Sequence, residues 1–478
     1  MSFSREIYIL SPRDLSPETI AVAFAKTSRS PQSFREIATE LSSESAAQFH
    51  EKWVVGYGHA SVAEHAILHI AFENVSRLAI ECIESNRLAS YTEKSTRYQQ
   101  WDVNSFYRPA SVLQSQWASL YEQTCRLLMQ TYTESLAPLQ SVIQERFPRK
   151  AGESDLAWDN RIRSKYVDVA RYLLPAAVFA NVGMTANART LAHAIRKLLS
   201  HPLAEVREIG AEVKAVALQE TPTLVKYTDP VAYQLHTESQ LQSAMYQLPL
   251  SNPAQPFAPG KEDWLQIVSH TVQAEEKFLA SVLFRYSTKS FEECEQIILS
   301  LSTQARTNLL ETALGSLQRH DIPLRELEHV QVTFCATMDE GAYYEVKRHR
   351  MMTQSPQPLD ISLGWEMPSL IVDAGLQESY QTAMQAVCSA YRQMAVTHPE
   401  EARYLVPNAF NRRVLVTANL RALYHFCTLR SAKNAHFAVR RIATRLHEEL
   451  SRLYPSLMQF CYWENREQWQ SVSQEYFS

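Results

Sequence analysis

Two segments of the chain decide its fold: SNRLASYTEKSTRY at residues 85–98 and RHRMMTQSPQPLD at residues 348–360. We interpret them as two damaged copies of one anion-binding motif. The first copy lacks a leading Arg-His but keeps Glu-x-Ser-x-Arg, whereas the second keeps Arg-His-Arg but has proline and aspartate where the serine and second arginine belong. Because each copy is damaged where the other is intact, the pattern predicts one composite site per chain, assembled from two halves.

The composition indicates a large globular protein. At 478 residues the chain exceeds the usual size of a single core, so two to three domains are expected. It has no run near the roughly 18 apolar residues of a membrane span and no apolar signal region at its N-terminus, which predicts a soluble, cytoplasmic protein. The seven cysteines are dispersed, which predicts reduced core residues rather than a disulfide or zinc framework.

Glycine content and charge restrict how the chain could bind phosphate. Only 10 of the 478 residues are glycine, and they form no cluster of the kind that dinucleotide-binding and P-loop folds require. Side chains and helix ends must therefore hold any phosphate. The net charge of -4 argues against a general nucleic-acid binder. Residues 403–447, however, contain nine Lys or Arg and no Asp or Glu, which predicts a local field that attracts an anion.

An ordered set of features occurs twice along the chain. Each half has a helical stretch ending in Ser-Phe, a Glu-His pair before an extended run, one broken motif, Ala-Arg-Tyr-Leu-x-Pro and Thr-Ala-Asn-x-Arg. The arginine of Ala-Arg-Tyr-Leu-x-Pro and the asparagine of Thr-Ala-Asn-x-Arg are 16 residues apart in both halves. They are Arg171 and Asn187 in the first half and Arg403 and Asn419 in the second. This shared spacing predicts a duplicated domain.

The proline-rich segment at residues 248–261 separates the two halves and predicts a linker. We therefore predict one domain at residues 1–247 and a second at residues 262–478. Long helical patterns with few, short strands indicate the α+β class: two tandem helix-rich domains, each with a small antiparallel sheet packed by helices. The predicted helical stretches are 21–34, 113–142, 198–218, 280–291, 370–396 and 422–453, and the predicted strands are 67–72 and 330–334.

Taken alone, the motif residues have an ordinary explanation. Glu93, Ser95 and Arg97 could clamp a phosphate, because arginine offers a planar fork of donors and serine a hydroxyl. The same residues would also suit a solvated turn with a structural ion pair. The run 348–350 follows an apolar pattern, which places it at the end of a packed helix, where cations suit the helix dipole as well as a ligand.

The helical pattern beyond Asn419 raises a geometric question. One face of a helix cannot present Asn419, Arg421, His425 and Arg430 to the same small ligand. Either the helix begins after Asn419, or a ligand wraps around it. Two ordinary amphipathic faces are the alternative without a ligand.

Metal and covalent chemistry have little support in the sequence. His59, Glu64 and His65 could suggest a metal site, but the histidines are six residues apart, whereas metal ligands on a helix are usually three or four apart. No Gly-x-Ser-x-Gly turn or plausible Cys-His pairing is evident. We therefore predict no metal and no protein nucleophile.

The ordered blocks resemble the flavin-dependent thymidylate synthase (ThyX) family, once in each half. They are His-x-Ser-x-x-Glu-His, Arg-x-x-Ser-x-x-Glu-x-Ser-x-Arg-Tyr, Ala-Arg-x-x-Leu-Pro and Asn-x-Arg, although neither half contains a complete long signature. The resemblance implies FAD as cofactor, dUMP as substrate, and NADPH and methylenetetrahydrofolate as co-substrates. Family members are homotetramers with sites between chains, so two tandem domains imply a homodimer.

The resemblance implies one complete nucleotide site between the unlike halves and an inactive reciprocal site. Arg348 and Arg430 match the family's nucleotide arginines, whereas the first half has Ser85 and Leu198 at these positions. The Glu-x-Ser-x-Arg residues survive only in the first half. Arg430 is the candidate catalytic residue. The candidate substrate-binding residues are Glu345, Arg348, Arg430, Glu93, Ser95, Arg97, Arg171 and Arg403.

A second set of residues is implied to contact the flavin. Two positions depart from the family: its glutamine before the Arg-His-Arg run is Glu345 here, and its asparagine before the motif glutamate is Thr92. An ionised carboxylate accepts but cannot donate hydrogen bonds, so Glu345 would change which edge of a base is recognised. The candidate flavin-binding residues are Ser61, Glu64, Arg87, Thr92, Glu93, Arg348, His349, Arg350, Asn419, Arg421 and His425.

The leading prediction is a flavin-dependent enzyme that methylates dUMP reductively. One alternative is flavin chemistry on another pyrimidine or on RNA, which Glu345 and the basic window suggest. A second alternative is a non-catalytic protein that binds flavin or a nucleotide, which the loss of both complete motifs suggests.

Overall fold

The fold combines many helices with two small sheets. In the described part of the chain the sheets have three and four strands, all antiparallel, and the predicted α+β class is confirmed. Apart from Leu248, the predicted linker lies outside the described residues. The computed structural model describes residues 6–28, 30–56, 60–95, 100–248, 263–463 and 467–477.

Each half of the chain contains one sheet. The first has strand order β1-β3-β2, with β1 (Ile67–Ser76), β2 (Ala89–Glu93) and β3 (Phe179–Asn187). The second has order β4-β5-β7-β6, with β4 (Leu265–His270), β5 (Gln331–Asp339), β6 (Thr353–Pro356) and β7 (Asn411–Asn419). The predicted strand at 67–72 lies within β1, and the one at 330–334 overlaps β5, which begins one residue later. In the central strands β3 and β7 every second side chain is buried, because alternate residues of a strand face the core.

Helices pack around both sheets, and β1 and β5 each lead directly into a short helix. The α-helices are α1 (Pro17–Thr27), α2 (Phe34–Glu40), α3 (Ser43–His50), α4 (Arg77–Ile83), α5 (Ala110–Leu113), α6 (Ala118–Arg146), α7 (Asp155–Ala170), α8 (Ala188–Leu199), α9 (Ala204–Glu220), α10 (Ala232–Gln247), α11 (Ala274–Arg285), α12 (Phe291–Ser300), α13 (Thr303–Leu314), α14 (Glu340–Val346), α15 (Ser369–Asp373), α16 (Gln377–Met394), α17 (Pro399–Ala402), α18 (Leu420–Arg430), α19 (Phe437–Leu453), α20 (Pro455–Met458) and α21 (Trp469–Tyr476). A π-helix spans Glu51–Gly56, and 3-10 helices span Ala60–His65, Arg171–Leu173, Arg325–His329 and Arg403–Leu405.

Two predicted helical stretches, 21–34 and 280–291, were wrong at their C-terminal ends. In each stretch the first helix ends several residues earlier, and a second helix begins at the phenylalanine. The cause is a capping box: Ser33 and Ser290 accept from the third residue of the new helix, whose glutamate bonds back to the serine N–H. The stretches 198–218, 370–396 and 422–453 are likewise divided between two helices each, and in 113–142 the long helix begins only at Ala118.

The two halves join through a reciprocal set of backbone hydrogen bonds. Pro175 and Pro407 form an antiparallel bridge at the centre of this contact. The flanking N–H donors and carbonyl acceptors are Ala176 to Val406 at 2.9 Å, Ala177 to Tyr404 at 2.9 Å, Asn408 to Leu174 at 3.1 Å and Ala409 to Tyr172 at 3.0 Å. Each bond from the first half to the second therefore has an equivalent in the opposite direction.

Buried charge also connects the halves. The Arg412 side chain is 4% exposed and pairs with Glu340 of α14 at 3.0 Å and with Glu81 of α4 at 3.1 Å. Burial raises the pKa of Glu340 to about 7, although Arg412 opposes this shift. Two acids thus share one guanidinium inside the contact. In the described part of the chain, no helix is both long and apolar enough to cross a membrane.

Candidate functional site

A cleft of about 800 Å³ lies where the turn after α14 meets α18 and the loop before β2. Arg87 from the first half lines this cleft with many residues of the second. The cleft brings together eight of the candidate residues predicted from the sequence. These are Arg87, Arg348, His349, Arg350, Asn419, Arg421, His425 and Arg430.

Two capped helices position these side chains. Asp339 caps α14 by accepting from the Ala342 N–H at 2.8 Å, and α14 ends at Val346, so residues 348–350 lie in the following turn. Asn419 caps α18 by accepting from the Ala422 N–H at 2.9 Å. The helix therefore begins after Asn419, which is the first of the two arrangements that the sequence allowed.

Arg430, at the end of α18, is held by two residues of the α14 segment. Its Nη1 lies 2.7 Å from Glu345 Oε2, and its Nε donates to His349 Nε2 at 2.9 Å. The Glu345 side chain is 6% exposed and that of Arg430 is 15% exposed. Arg430 is therefore fixed in orientation by the protein itself.

His349 must be neutral at the nitrogen that accepts from Arg430. Burial, together with repulsion from the Arg430 guanidinium, lowers the pKa of His349 to about 3. The ring also packs edge-on against Phe426, with ring centroids 4.8 Å apart. His349 is thus a neutral hydrogen-bond acceptor at physiological pH.

Glu93 brings the first half to this cluster. It pairs with Arg77, and its Oε2 lies 3.7 Å from Arg348 Nη2. The side chains of Glu93 and Arg77 are 4% and 3% exposed, whereas Arg348 is 47% exposed. Arg348 is also 3.7 Å from Glu345, so it lies between one carboxylate of each half.

Sequence reasoning missed Arg77. This residue starts α4, and its guanidinium stacks on the Tyr344 ring of the second half at 3.9 Å. The signal in the sequence was weak, since Arg77 lies outside every motif block. It therefore contacts both Glu93 of the first half and Tyr344 of the second.

Arg87 and Arg350 cross between the two damaged motifs. Arg350 Nη1 donates to the Arg87 carbonyl at 2.7 Å, and Arg87 Nη2 donates to Thr353 Oγ1 at 3.0 Å. The two segments that were singled out in the sequence are therefore in direct contact.

The opposite wall of the cleft contains Arg421, whose Nη1 lies 2.8 Å from Glu328. Its Nε donates to the Pro323 carbonyl at 2.9 Å. Glu328 was not selected from the sequence, although the Glu-His repeat contained it as the counterpart of Glu64. Comparing both halves position by position would have found it.

Other candidate residues lie away from this cleft. Glu64 pairs with Arg189, and Ser61 lies in the same 3-10 helix, while Thr92 and Ser95 lie in and after β2. Arg171 is 2% exposed, and its Nε lies 3.9 Å from Asp168. Arg403 pairs with Glu400 at 2.7 Å and lines a second cavity. Arg97, like His59, lies outside the described residues.

The basic window at 403–447 is largely neutralised. At least seven of its nine cations pair with carboxylates that the chain supplies from outside the window, so its field is mostly internal. The pairs are Arg403 with Glu400, Arg412 with Glu81 and Glu340, Arg421 with Glu328, Arg430 with Glu345, Arg440 with Glu467, Arg441 with Glu366, and Arg445 with Asp263 and Glu449.

Contrary to the sequence prediction, a cysteine and a histidine do lie together. Cys82 Sγ is 3.2 Å from His201 Nε2. Burial raises the pKa of Cys82 to about 12, so its thiol stays protonated and is a poor nucleophile. The expectation that the protein supplies no thiolate is compatible with this pair.

These features define a class: a helix-rich α+β protein with a cleft lined by arginine and histidine and suited to an anionic ligand. The chain belongs to the Thy1 family, described as thymidylate synthase complementing protein. The family model matches residues 13–223 and 266–456.

Similar proteins fall into two groups. A UPF0159 protein of Chlamydia muridarum is 31% identical over 437 residues, covering 88% of this chain and 82% of that protein. A UPF0159 protein of Thermoplasma acidophilum is 26% identical over 444 residues, with coverage of 86% and 87%. A flavin-dependent thymidylate synthase of Clostridium tetani is 28% identical over 218 residues, which is 45% of this chain and 83% of that enzyme.

Solved structures give a weaker similarity. A UMP/dUMP methylase from Streptomyces cacaoi has a TM-score of 0.35 at 14% identity, covering 41% of this chain and 93% of that one. The ThyX enzyme of Helicobacter pylori, complexed with FAD and dUMP, has a TM-score of 0.30 at 20% identity, with coverage of 42% and 100%.

Proposed function

We propose that this protein is a FAD-dependent enzyme that methylates a pyrimidine nucleotide, converting dUMP to dTMP at one composite cleft per chain. The observation that carries the proposal is the cluster in which Glu93 of the first half meets Arg348, Glu345 and Arg430 of the second. Membership in the thymidylate synthase complementing family supports the same reaction class.

The lining of the cleft fits a flavin. Aromatic and thioether side chains, including Tyr424, Phe460, Tyr462 and Met352, can pack against a flat ring system, and the arginines suit an anionic pyrophosphate. When bound, the flavin would supply the electron transfer. The chain would hold it through residues of both halves, namely Arg87, Arg348, His349, Arg350, Asn419, Arg421 and His425.

The protein's own groups would bind and orient the nucleotide. Arg348 is half exposed between two carboxylates, so it can turn toward a phosphate while Glu93 stays paired with Arg77. Arg430 is held at a fixed angle by Glu345 and His349, and a preorganised donor costs little entropy on binding. NADPH and methylenetetrahydrofolate are the co-substrates that we propose.

We further propose two tandem domains, residues 1–247 and 262–478, that face each other across an approximate twofold axis. The reciprocal bonds around Pro175 and Pro407 support this arrangement. In a homodimer of such chains, Ser61, Glu64 and Thr92 would reach a cleft of the second chain, which would account for their distance from the cleft in one chain.

The test uses purified full-length protein. We expect bound flavin, and release of the C5 hydrogen from labelled dUMP when NADPH and methylenetetrahydrofolate are present. Arg430→Ala should lower turnover at least 100-fold, because it removes a positioned cation from the cleft. Arg452→Ala, an exposed arginine near the end of α19, is the matched control and should leave turnover unchanged. Flavin binding without hydrogen release would refute the thymidylate reaction.

A non-catalytic flavin- or nucleotide-binding protein is the second candidate. It is favoured by Glu345, because the ion pair between its carboxylate and the Arg430 guanidinium gives that arginine a structural role. For such a protein Arg430→Ala would lower stability and leave ligand-dependent chemistry absent in both variants. The RNA alternative loses one of its two grounds, because ion pairs within the chain neutralise most of the basic window, while Glu345 remains. We therefore do not expect strongly salt-dependent RNA binding.

A further inference from the structure

A second cavity, of about 460 Å³, lies on the other side of the contact between Arg87 and Arg350. It is formed by α4, the end of α8, the turn after α14, and the segment after β6. Arg87, Arg350 and Met352 line both this cavity and the main cleft, so they form the wall between them.

The lining of this cavity is strongly cationic. It contains six Lys or Arg side chains and two glutamates: Arg87, Lys197, Lys347, Arg350, Arg403, Arg412, Glu81 and Glu84. Three of the cations are matched by acids. These pairs are Arg412 with Glu81, Lys347 with Glu84 at 2.8 Å, and Arg403 with Glu400 at 2.7 Å.

Three cations are left without an acid. Among the described residues, Lys197, Arg87 and Arg350 make no ion pair. Lys197 instead donates to the hydroxyl of Ser85, which can compensate only part of a desolvated charge. Burial lowers the pKa of Lys197, as expected for a cation that lacks an opposite charge.

The neighbouring imidazole does not add to this charge. The Leu203 N–H donates to His201 Nδ1 at 3.1 Å, so the ring proton sits on Nε2 and points to Cys82 Sγ. Burial and the nearby Arg403 and Lys197 lower the pKa of His201 to about 4. A neutral histidine is therefore maintained next to the excess cations.

One substitution between the halves removes a carboxylate from this cavity. Glu345 is the sixth residue of α14, and Cys82 is the sixth residue of α4. In the main cleft the glutamate neutralises a cation, whereas the thiol at the corresponding point of the second cavity carries no charge.

We propose that the second cavity binds a phosphate dianion at Lys197 and Arg350, two of the cations without an acid, with Arg403 on the same lining. This site lies across the shared Arg87 and Arg350 wall from the main cleft. The ligand is either free orthophosphate or the terminal phosphate of a phosphomonoester, since both present the same oxygens to the cations. The proposal does not rest on the proposed methylation. The sequence predicts that the reciprocal site is inactive; we propose instead that it binds phosphate but catalyses no reaction.

The test is calorimetric titration of the full-length protein with orthophosphate at constant ionic strength, with and without added FAD. Lys197→Met should weaken binding at this site at least tenfold. Lys197→Arg should keep it within about threefold, because the charge is retained. The matched control is Arg196→Met, which removes the neighbouring cation of α8 that donates instead to the Tyr227 carbonyl, and it should bind as the wild type does.

A dUMP titration separates the two sources of phosphate. If dUMP displaces the Lys197-dependent orthophosphate from the wild-type protein, the ligand is a phosphomonoester; if the orthophosphate stays bound, it is the free ion. Unchanged orthophosphate binding in a folded Lys197→Met protein would overturn the proposal. So would loss of the Lys197-dependent binding when FAD is bound, because the cavity would then belong to the flavin cleft. A protein without methylation activity that still shows Lys197-dependent binding would refute only the proposed function.

Discussion

At the scale of single residues, Glu345 decides the electrostatics of the cleft. Its carboxylate lies 2.7 Å from Arg430 and 3.7 Å from Arg348, and therefore opposes the entry of an anion. Glu345→Gln removes one negative charge from beside the two arginines and should raise dUMP affinity by roughly tenfold or more. Calorimetry checks this, with the exposed Glu378→Gln as control. Weaker binding in Glu345→Gln would show that the carboxylate contacts the nucleotide directly.

A second residue, His349, makes stability depend on pH. Its folded pKa of about 3 lies below the usual unfolded value of about 6.5, so the unfolded chain binds the extra proton between these values. Stability from this group is complete above about pH 6.5 and is lost as the pH falls toward 3. Between pH 7 and 5 the wild type should lose about 2 kcal/mol more free energy of unfolding than His349→Gln. Urea unfolding at both pH values measures this, and equal losses would contradict it.

At the scale of elements, α4, α14 and β7 meet at Arg412. Removing one member of a buried ion group leaves uncompensated charge, so Arg412→Met should cost about 3 to 5 kcal/mol at pH 7. Adding Glu340→Gln should recover part of this loss, because Glu340 is then no longer a buried charge without a counterion. Chemical unfolding provides the measurement. The control Arg149→Met removes an exposed pair and should change stability by less than about 1 kcal/mol; a similar loss in both variants would mean that the buried group has no special role.

At the scale of the whole molecule, the difference between the two halves predicts one functional cleft per chain and not two. The second half contributes Arg348 and Arg430, whereas the first has Ser85 and Leu198 at the corresponding points. We therefore expect one FAD per chain at saturation, measured from flavin absorbance against protein concentration. Two FAD per chain would contradict a single composite cleft. Arg348→Ala should lower this occupancy, while Arg149→Met should not.

The sequence by itself determined the fold class, one strand in each sheet (β1 and β5) and the convergence of the two damaged motifs. These follow from local periodicity and from the order of residue types that the chain repeats in its two halves, and both can be read without knowledge of distant contacts. Helical geometry alone left two arrangements open around Asn419, and the structure shows the one in which the helix begins after this residue.

Only the tertiary structure decided which charges remain available. The nine cations of residues 403–447 form an acid-free window in sequence, but acids as distant as Glu81 and Glu340 neutralise most of them in space. Likewise, Arg77 and Glu328 join the site through contacts with segments far away in the chain. The physical reason is that ion pairing depends on distance and burial, and neither is encoded by spacing along the sequence.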